Sequence, residues 1–148
     1  MFPLIGITYF AATTIPLMIY DLRERRLPNK ITLPGVAVAL VSLALTMEWS
    51  RFLIALGISA LLFLVGTLIS VRGWIGMGDV KLIAGITLSL AWFNPLLPAI
   101  AVLIGLVIAG AVSLALVALR KASMGSSIAL GPYLLVGFVL SLIGQGWS

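Results

Sequence analysis

Charge along this chain comes in short clusters separated by long apolar runs. Residues 2–20, 31–47, 52–71 and 82–119 carry no charged side chain at all. The first run is long enough to cross a bilayer as a helix. It has no basic start, and the basic cluster follows it, so it reads as a retained helix and not as a cleaved signal peptide. The run 82–119 is too long for one helix, and Asn94-Pro95 predicts a turn inside it. Its first part, 80–93, is short for a span and either starts below the surface or is extended by the glycine-rich stretch before it. Its second part, 96–119, is ample. A last span is expected within 122–147, beginning near Ser127, with Trp147 at the far interface. The pattern predicts six helices.

The polar stretches divide these helices. Asp21 to Lys30 is the densest in charge; Pro28 there blocks a continuous helix, and Asn29 suits a cap for the next one. Pro34 is tolerable in a first helical turn. Glu48-Trp49-Ser50-Arg51 reads as a tight polar turn. Arg72 to Lys81 is the second long polar stretch, and Arg120-Lys121 closes the fifth helix. Within that helix Ala101, Gly105, Ala109 and Ser113 recur every four residues, a stripe that lets a neighbouring helix approach closely. With the N-terminus outside, Arg23, Arg25, Arg26, Lys30, Arg72, Lys81, Arg120 and Lys121 all fall on the cytoplasmic side, and Arg51 alone falls outside. Basic residues are concentrated in cytoplasmic loops. The expected fold is therefore all-α: one polytopic membrane domain over residues 1–148, with six transmembrane helices and both termini on the non-cytoplasmic side.

Composition agrees. Hydrophobic residues make up 62% of the chain and charged residues 9%, a balance that suits lipid and not water. The net charge of +5 lies in the loop clusters and orients the chain; it gives no reason to expect nucleic acid. Cysteine and histidine are both absent. That removes disulfides, thiol nucleophiles, serine–histidine pairs and His/Cys zinc sites. No metal and no cofactor is expected.

The chain has four acids: Asp21, Glu24, Glu48 and Asp79. Glu48 lies on the opposite side, and Glu24 falls in a loop, solvated. Asp21 closes the first helix and Asp79 opens the fourth, so the alternating topology puts both at one membrane boundary. Two carboxylates at one depth suit aspartyl protease chemistry. They share one proton; the protonated acid polarises a scissile carbonyl while its partner takes a proton from water. Plainer readings exist for each residue alone. Asp79 follows glycine before an apolar run and would serve as a helix cap. Asp21 would serve as an interfacial partner for Arg23 or Arg25.

Three stretches together resemble the type IV prepilin peptidases, aspartyl intramembrane proteases of the Gly-x-Gly-Asp kind. Asp21-Leu22-Arg23-Glu24-Arg25-Arg26-Leu27-Pro28-Asn29 resembles their first catalytic motif. Gly76-Met77-Gly78-Asp79-Val80-Lys81-Leu82 resembles the second. Ser127-Ile128-Ala129-Leu130-Gly131-Pro132-Tyr133 is similar to a late stretch usually written Pro-Phe-Gly-Pro, with Gly131 and Pro132 the firm matches. The resemblance implies an endopeptidase of the bacterial inner membrane, with Asp21 and Asp79 catalytic. Its substrate would be a prepilin or pseudopilin, a basic leader followed by a hydrophobic helix, cut on the cytoplasmic face. Long members carry an extra N-terminal region with a cysteine-containing loop linked to methylation. This chain has neither, so it resembles the short form of tight-adherence (Flp-type) pilus systems, and no methyl transfer is expected.

Other residues have supporting readings. Gly76 and Gly78 leave room for substrate backbone beside Asp79, or form a simple turn. Lys81 is a snorkelling anchor or a cation that tunes an aspartate or contacts substrate; if helical, it points nearly opposite to Asp79. Gly131 and Pro132 shape the start of the sixth helix. The arginines after Asp21 suit lipid headgroups and would repel a basic leader. Two other functions fit less well. A small proton-coupled transporter would use the same aspartates, yet both lie near one face. An assembly subunit binding partner helices through the small-residue stripe would tolerate loss of either acid.

Overall fold

The computed structural model describes residues 1–24, 29–121 and 130–144, and within them the chain is all-α. Six helices follow in order: α1 (Pro3–Glu24), α2 (Asn29–Ala44), α3 (Trp49–Val71), α4 (Met77–Ala91), α5 (Leu97–Ala118) and α6 (Gly131–Gly144). Three of them, α1, α3 and α5, are long and apolar enough to cross a membrane, and α2 and α6 are shorter apolar helices.

The bundle is built around α4. Val80 and every residue from Leu82 to Ala91 are buried. A helix apolar on all sides belongs in the interior, and α4 packs against α1, α2, α3, α5 and α6. Its 15 residues rise roughly 22 Å at 1.5 Å each. The glycine-rich stretch does extend it, because Met77, Gly78 and Asp79 are already helical. One core cluster joins Phe10 and Leu17 of α1 to Leu82 and Ile86 of α4 and Leu135 and Phe138 of α6. A second joins Leu43, Ala55, Leu88 and Trp92.

Small residues set the close contacts. The buried residues of α3 are Ala55, Ser59 and Gly66, with the Ser59 hydroxyl donating to the Ala84 carbonyl at 2.8 Å. The stripe on α5 meets α6: a Cβ on Gly105 would lie 2.9 Å from the Tyr133 carbonyl oxygen, and one on Gly137 would lie on the Ala101 carbonyl. Ser59 beside Ala84 and Gly66 beside Val80 make α3 and α4 antiparallel; Gly6 beside Ser89 and Phe10 beside Gly85 do the same for α1 and α4. The end of α1 and the start of α4 therefore share one end of the bundle.

Several boundaries differ from the sequence reading. Asn29 is the first described residue of α2, and its side chain accepts from Lys81. Pro34 falls past the first turn of α2, where its missing N–H costs one helical hydrogen bond. The expected turn at 48–51 is mostly helix: Glu48 is the N-cap of α3 and pairs with Arg51 at 3.2 Å. α6 starts at Gly131 among the described residues. The readings at Arg25, Arg26, Pro28, residues 127–129 and Trp147 lie outside the described residues.

The turn between α3 and α4 is short. Gly73 takes φ +78° just past the Arg72 C-cap, and its N–H donates to Ser70 at 2.8 Å. Only glycine adopts that left-handed backbone without strain. The chain then re-enters at Gly76 in extended conformation, and α4 begins.

Candidate active site

Asp21 lies in the last turn of α1 and is 4% exposed. Its position follows from spacing. The buried residues Ile7, Phe10, Thr14, Leu17 and Asp21 recur every three or four residues, one face of a helix. Asp21 is thus the terminal member of the stripe that faces the core. Its chain neighbours Leu22, Arg23 and Glu24 are exposed. The reading of Asp21 as an interfacial partner of Arg23 is therefore corrected: helical geometry points the two side chains apart. Instead, the backbone N–H of Gly131, at the start of α6, donates to the Asp21 carboxylate.

Asp79 heads a matching stripe. Leu82, Ile83, Ile86 and Leu90 follow it at helical spacing, and all four belong to the cluster that holds Phe10 and Leu17. Asp79 is not the N-cap. Gly76 is, with φ −70° and ψ 145°, and Asp79 occupies the third helical position. From there its carboxylate reaches back to the Gly76 N–H, the return half of a capping box. A Cβ on Gly76 would sit 3.3 Å from Asp79 Oδ2. Gly76 thus makes room for this carboxylate, and its backbone does not use a conformation reserved for glycine. Gly78, also helical, sits between them at the second position.

The two carboxylates are near enough to repel each other. A Cα–Cβ bond tilts toward its own helix N-terminus. In antiparallel α1 and α4 the two side chains therefore lean toward one another along the bundle axis. Each carboxylate has one oxygen served by a backbone N–H. Asp21 Oδ2 and Asp79 Oδ1 are buried with no hydrogen-bond partner. Among the described residues neither aspartate forms an ion pair. Asp79 is only partly buried, so the pair opens toward its end of the bundle. Chemically, this is a pair of acids with one free oxygen each, able to bind and activate a water. Among the described residues no three of His, Cys, Asp or Glu gather, so the donor set offers no clustered metal site.

The remaining candidates divide. Gly131 and Pro132 are buried, and the Gly131 N–H meets Asp21. Lys81 does not join the aspartates: its Nζ donates to Asn29 Oδ1 at 3.0 Å on the other side of α4. Asn29 as the partner of Lys81 is new, and no spacing in the sequence points to it. An open apolar cavity of about 400 Å³ lies on the end of α3, lined by Val65, Leu68, Ile69, Val71, Arg72 and Trp74. Neither aspartate lines it.

A sequence model of the type IV leader peptidase family matches residues 8–114. The chain belongs to the type IV leader peptidase family. The match takes in both aspartates and the Gly-x-Gly-Asp stretch, and it ends before α6. Membership in this peptidase family makes the chain a protease of leader-peptidase type and, with three long apolar helices, a membrane protein. No curated protein and no solved structure matches the chain.

Proposed function

We propose that the protein is an intramembrane aspartyl endopeptidase that removes the basic leader from type IV prepilins or pseudopilins at the cytoplasmic face of the bacterial inner membrane. The observation that carries this reading is the placement of Asp21, at the end of α1, and Asp79, at the start of the antiparallel α4, at one end of the bundle, two acids from distant parts of the chain. One carboxylate, ionised, takes a proton from water as the water oxygen attacks the scissile carbonyl carbon. The other, protonated, donates to the carbonyl oxygen and yields a gem-diol. Proton return to the amide nitrogen then breaks the C–N bond and releases the leader.

Depth supports cleavage within the membrane. Val80 packs on Gly66, five residues before α3 ends at Val71. At 1.5 Å per residue that is roughly 7 Å inside the end of an apolar helix. The topology we propose goes with it: six membrane helices, both termini outside, and, among the described residues, Arg23, Lys30, Arg72, Lys81, Arg120 and Lys121 toward the site end with Arg51 toward the other. A proton-coupled transporter remains the second reading, favoured by nothing beyond the buried acids themselves.

The test is co-expression with a prepilin carrying its leader. Asp21→Asn and Asp79→Asn each keep the side-chain shape and remove the acid. Each is expected to abolish leader removal while the protein still inserts. Near-normal processing by either variant overturns the paired mechanism.

A further inference from the structure

We infer that α6 completes the catalytic pair, with the Gly131 backbone N–H acting as a positioning group that orients the Asp21 carboxylate. This deepens the proposed function and rests on it. The family match ends before α6 begins, so nothing in it assigns this helix a part in the site.

The local sequence directs one donor at Asp21. A helix leaves the N–H groups of its first turn without intrahelical partners. In α6 the Tyr133 and Leu134 N–H groups both return to the Leu130 carbonyl, at 3.1 Å each. Pro132 has no N–H to give. Within this turn only the Gly131 N–H is left, and it points to Asp21. Pro132 and Gly131 therefore act as a unit: one silences a competing donor while the other supplies the single N–H.

The second observation is on the acceptor. Asp21 is 4% exposed, and its Oδ2 has no partner. A bridging cation would occupy both oxygens and hold the group as an anion. A single backbone N–H fixes the orientation through one oxygen and leaves the other free for water and proton exchange. Gly76 serves Asp79 in the same way from the start of α4. The two acids are thus each held by one glycine amide at a helix N-terminus.

The experiment compares Gly131→Pro with Gly131→Ala in the full chain, purified in detergent, on a prepilin substrate. Proline is well suited to the first helical position, so Gly131→Pro removes the N–H and keeps the helix start. Gly131→Ala keeps the N–H. The expected result is a fall in kcat of roughly 10- to 100-fold for Gly131→Pro, the worth of a hydrogen bond to a charged group. KM and the thermal midpoint should stay near wild type, and Gly131→Ala should lose no more than severalfold. Equal losses in the two variants, or no loss in Gly131→Pro, would overturn the proposal.

A readout independent of activity is the Gly131 amide resonance in protein labelled with ¹⁵N-glycine. Asp21→Ala should move that proton upfield and speed its exchange, and Asp79→Ala should leave it nearly unmoved. An unmoved resonance in Asp21→Ala overturns the inference. The proposed function fails separately, through active Asp21→Asn.

Discussion

Lys81 Nζ lies 3.0 Å from Asn29 Oδ1, and this bond turns the cation nearest in sequence away from Asp79. Positions 79 and 81 are about 200° apart around a helix, so they face nearly opposite sides. A lysine beside Asp79 would hold it ionised and bar it from proton exchange. Placed as it is, Lys81 ties the first turn of α4 to the first residue of α2.

Lys81 should therefore behave as a strut. Lys81→Ala and Asn29→Ala are each expected to lower leader removal about fivefold, the effect of roughly 1 kcal/mol from a partly exposed hydrogen bond. The double variant should be no worse than either single one, since both break the same bond. The check is a double-mutant cycle on initial cleavage rates. A loss in Lys81→Ala as complete as in Asp79→Asn would place the ammonium at the reacting atoms.

Gly76 offers a separation of activity from stability. Its φ of −70° and ψ of 145° suit any residue, so Gly76→Ala should fold and melt as wild type does. Its new Cβ would lie 3.3 Å from Asp79 Oδ2, and the carboxylate must shift by a few tenths of an ångström. Misplacement of about 1 Å costs on the order of a hundredfold in rate, so a several-fold fall in kcat is expected. Kinetics beside a thermal melt will show it; a lowered midpoint with unchanged kcat would contradict the account.

These two cases show what the sequence could and could not reveal. The two acids were legible because charge is rare here and alternating helices force Asp21 and Asp79 to one end. Apolar runs also marked all six helices, since a run of uncharged residues has few other uses. The buried direction of Asp21 is legible too, in the stripe Ile7, Phe10, Thr14, Leu17, Asp21, although the arginines that follow it suggest a surface position. Asn29 as the partner of Lys81, and Gly131 as the donor to Asp21, were not legible. Both depend on how helices rotate and stagger against each other, and that is set by packing across distances no local pattern records. The stripe on α5 predicted a close neighbour without naming it; only the matching gap at Gly137 identifies α6.

That gap predicts a sharp contrast among glycines. Gly137→Ala would place a methyl group on the Ala101 carbonyl and 2.8 Å from the Gly105 nitrogen. Backbone cannot move aside as a side chain can, so α5 and α6 must separate. Overpacking of this kind costs about 1–3 kcal/mol. Gly110→Ala, in α5, meets nothing within 4 Å and should leave stability unchanged or raise it. Unfolding in a denaturing detergent series measures both. Equal stability of the two variants would mean that α5 and α6 do not meet at Gly105 and Gly137.

The orientation of the bundle can be read with single cysteines, because the native chain has none to give background. Arg72→Cys lies in the turn before α4, at the end that holds Asp21 and Asp79, and Lys121→Cys lies past the end of α5. Arg51→Cys lies at the start of α3, toward the other end. If the basic residues keep their end in the cytoplasm, a membrane-impermeant maleimide added to intact spheroplasts should label only Arg51→Cys. Opening the membrane should then expose the other two. Each helix reverses direction, so these three positions set the sidedness of the site as well as that of the chain. Labelling of Arg72→Cys in intact spheroplasts would put the acids on the outer face, where a leader still attached to its precursor on the cytoplasmic side could not reach them.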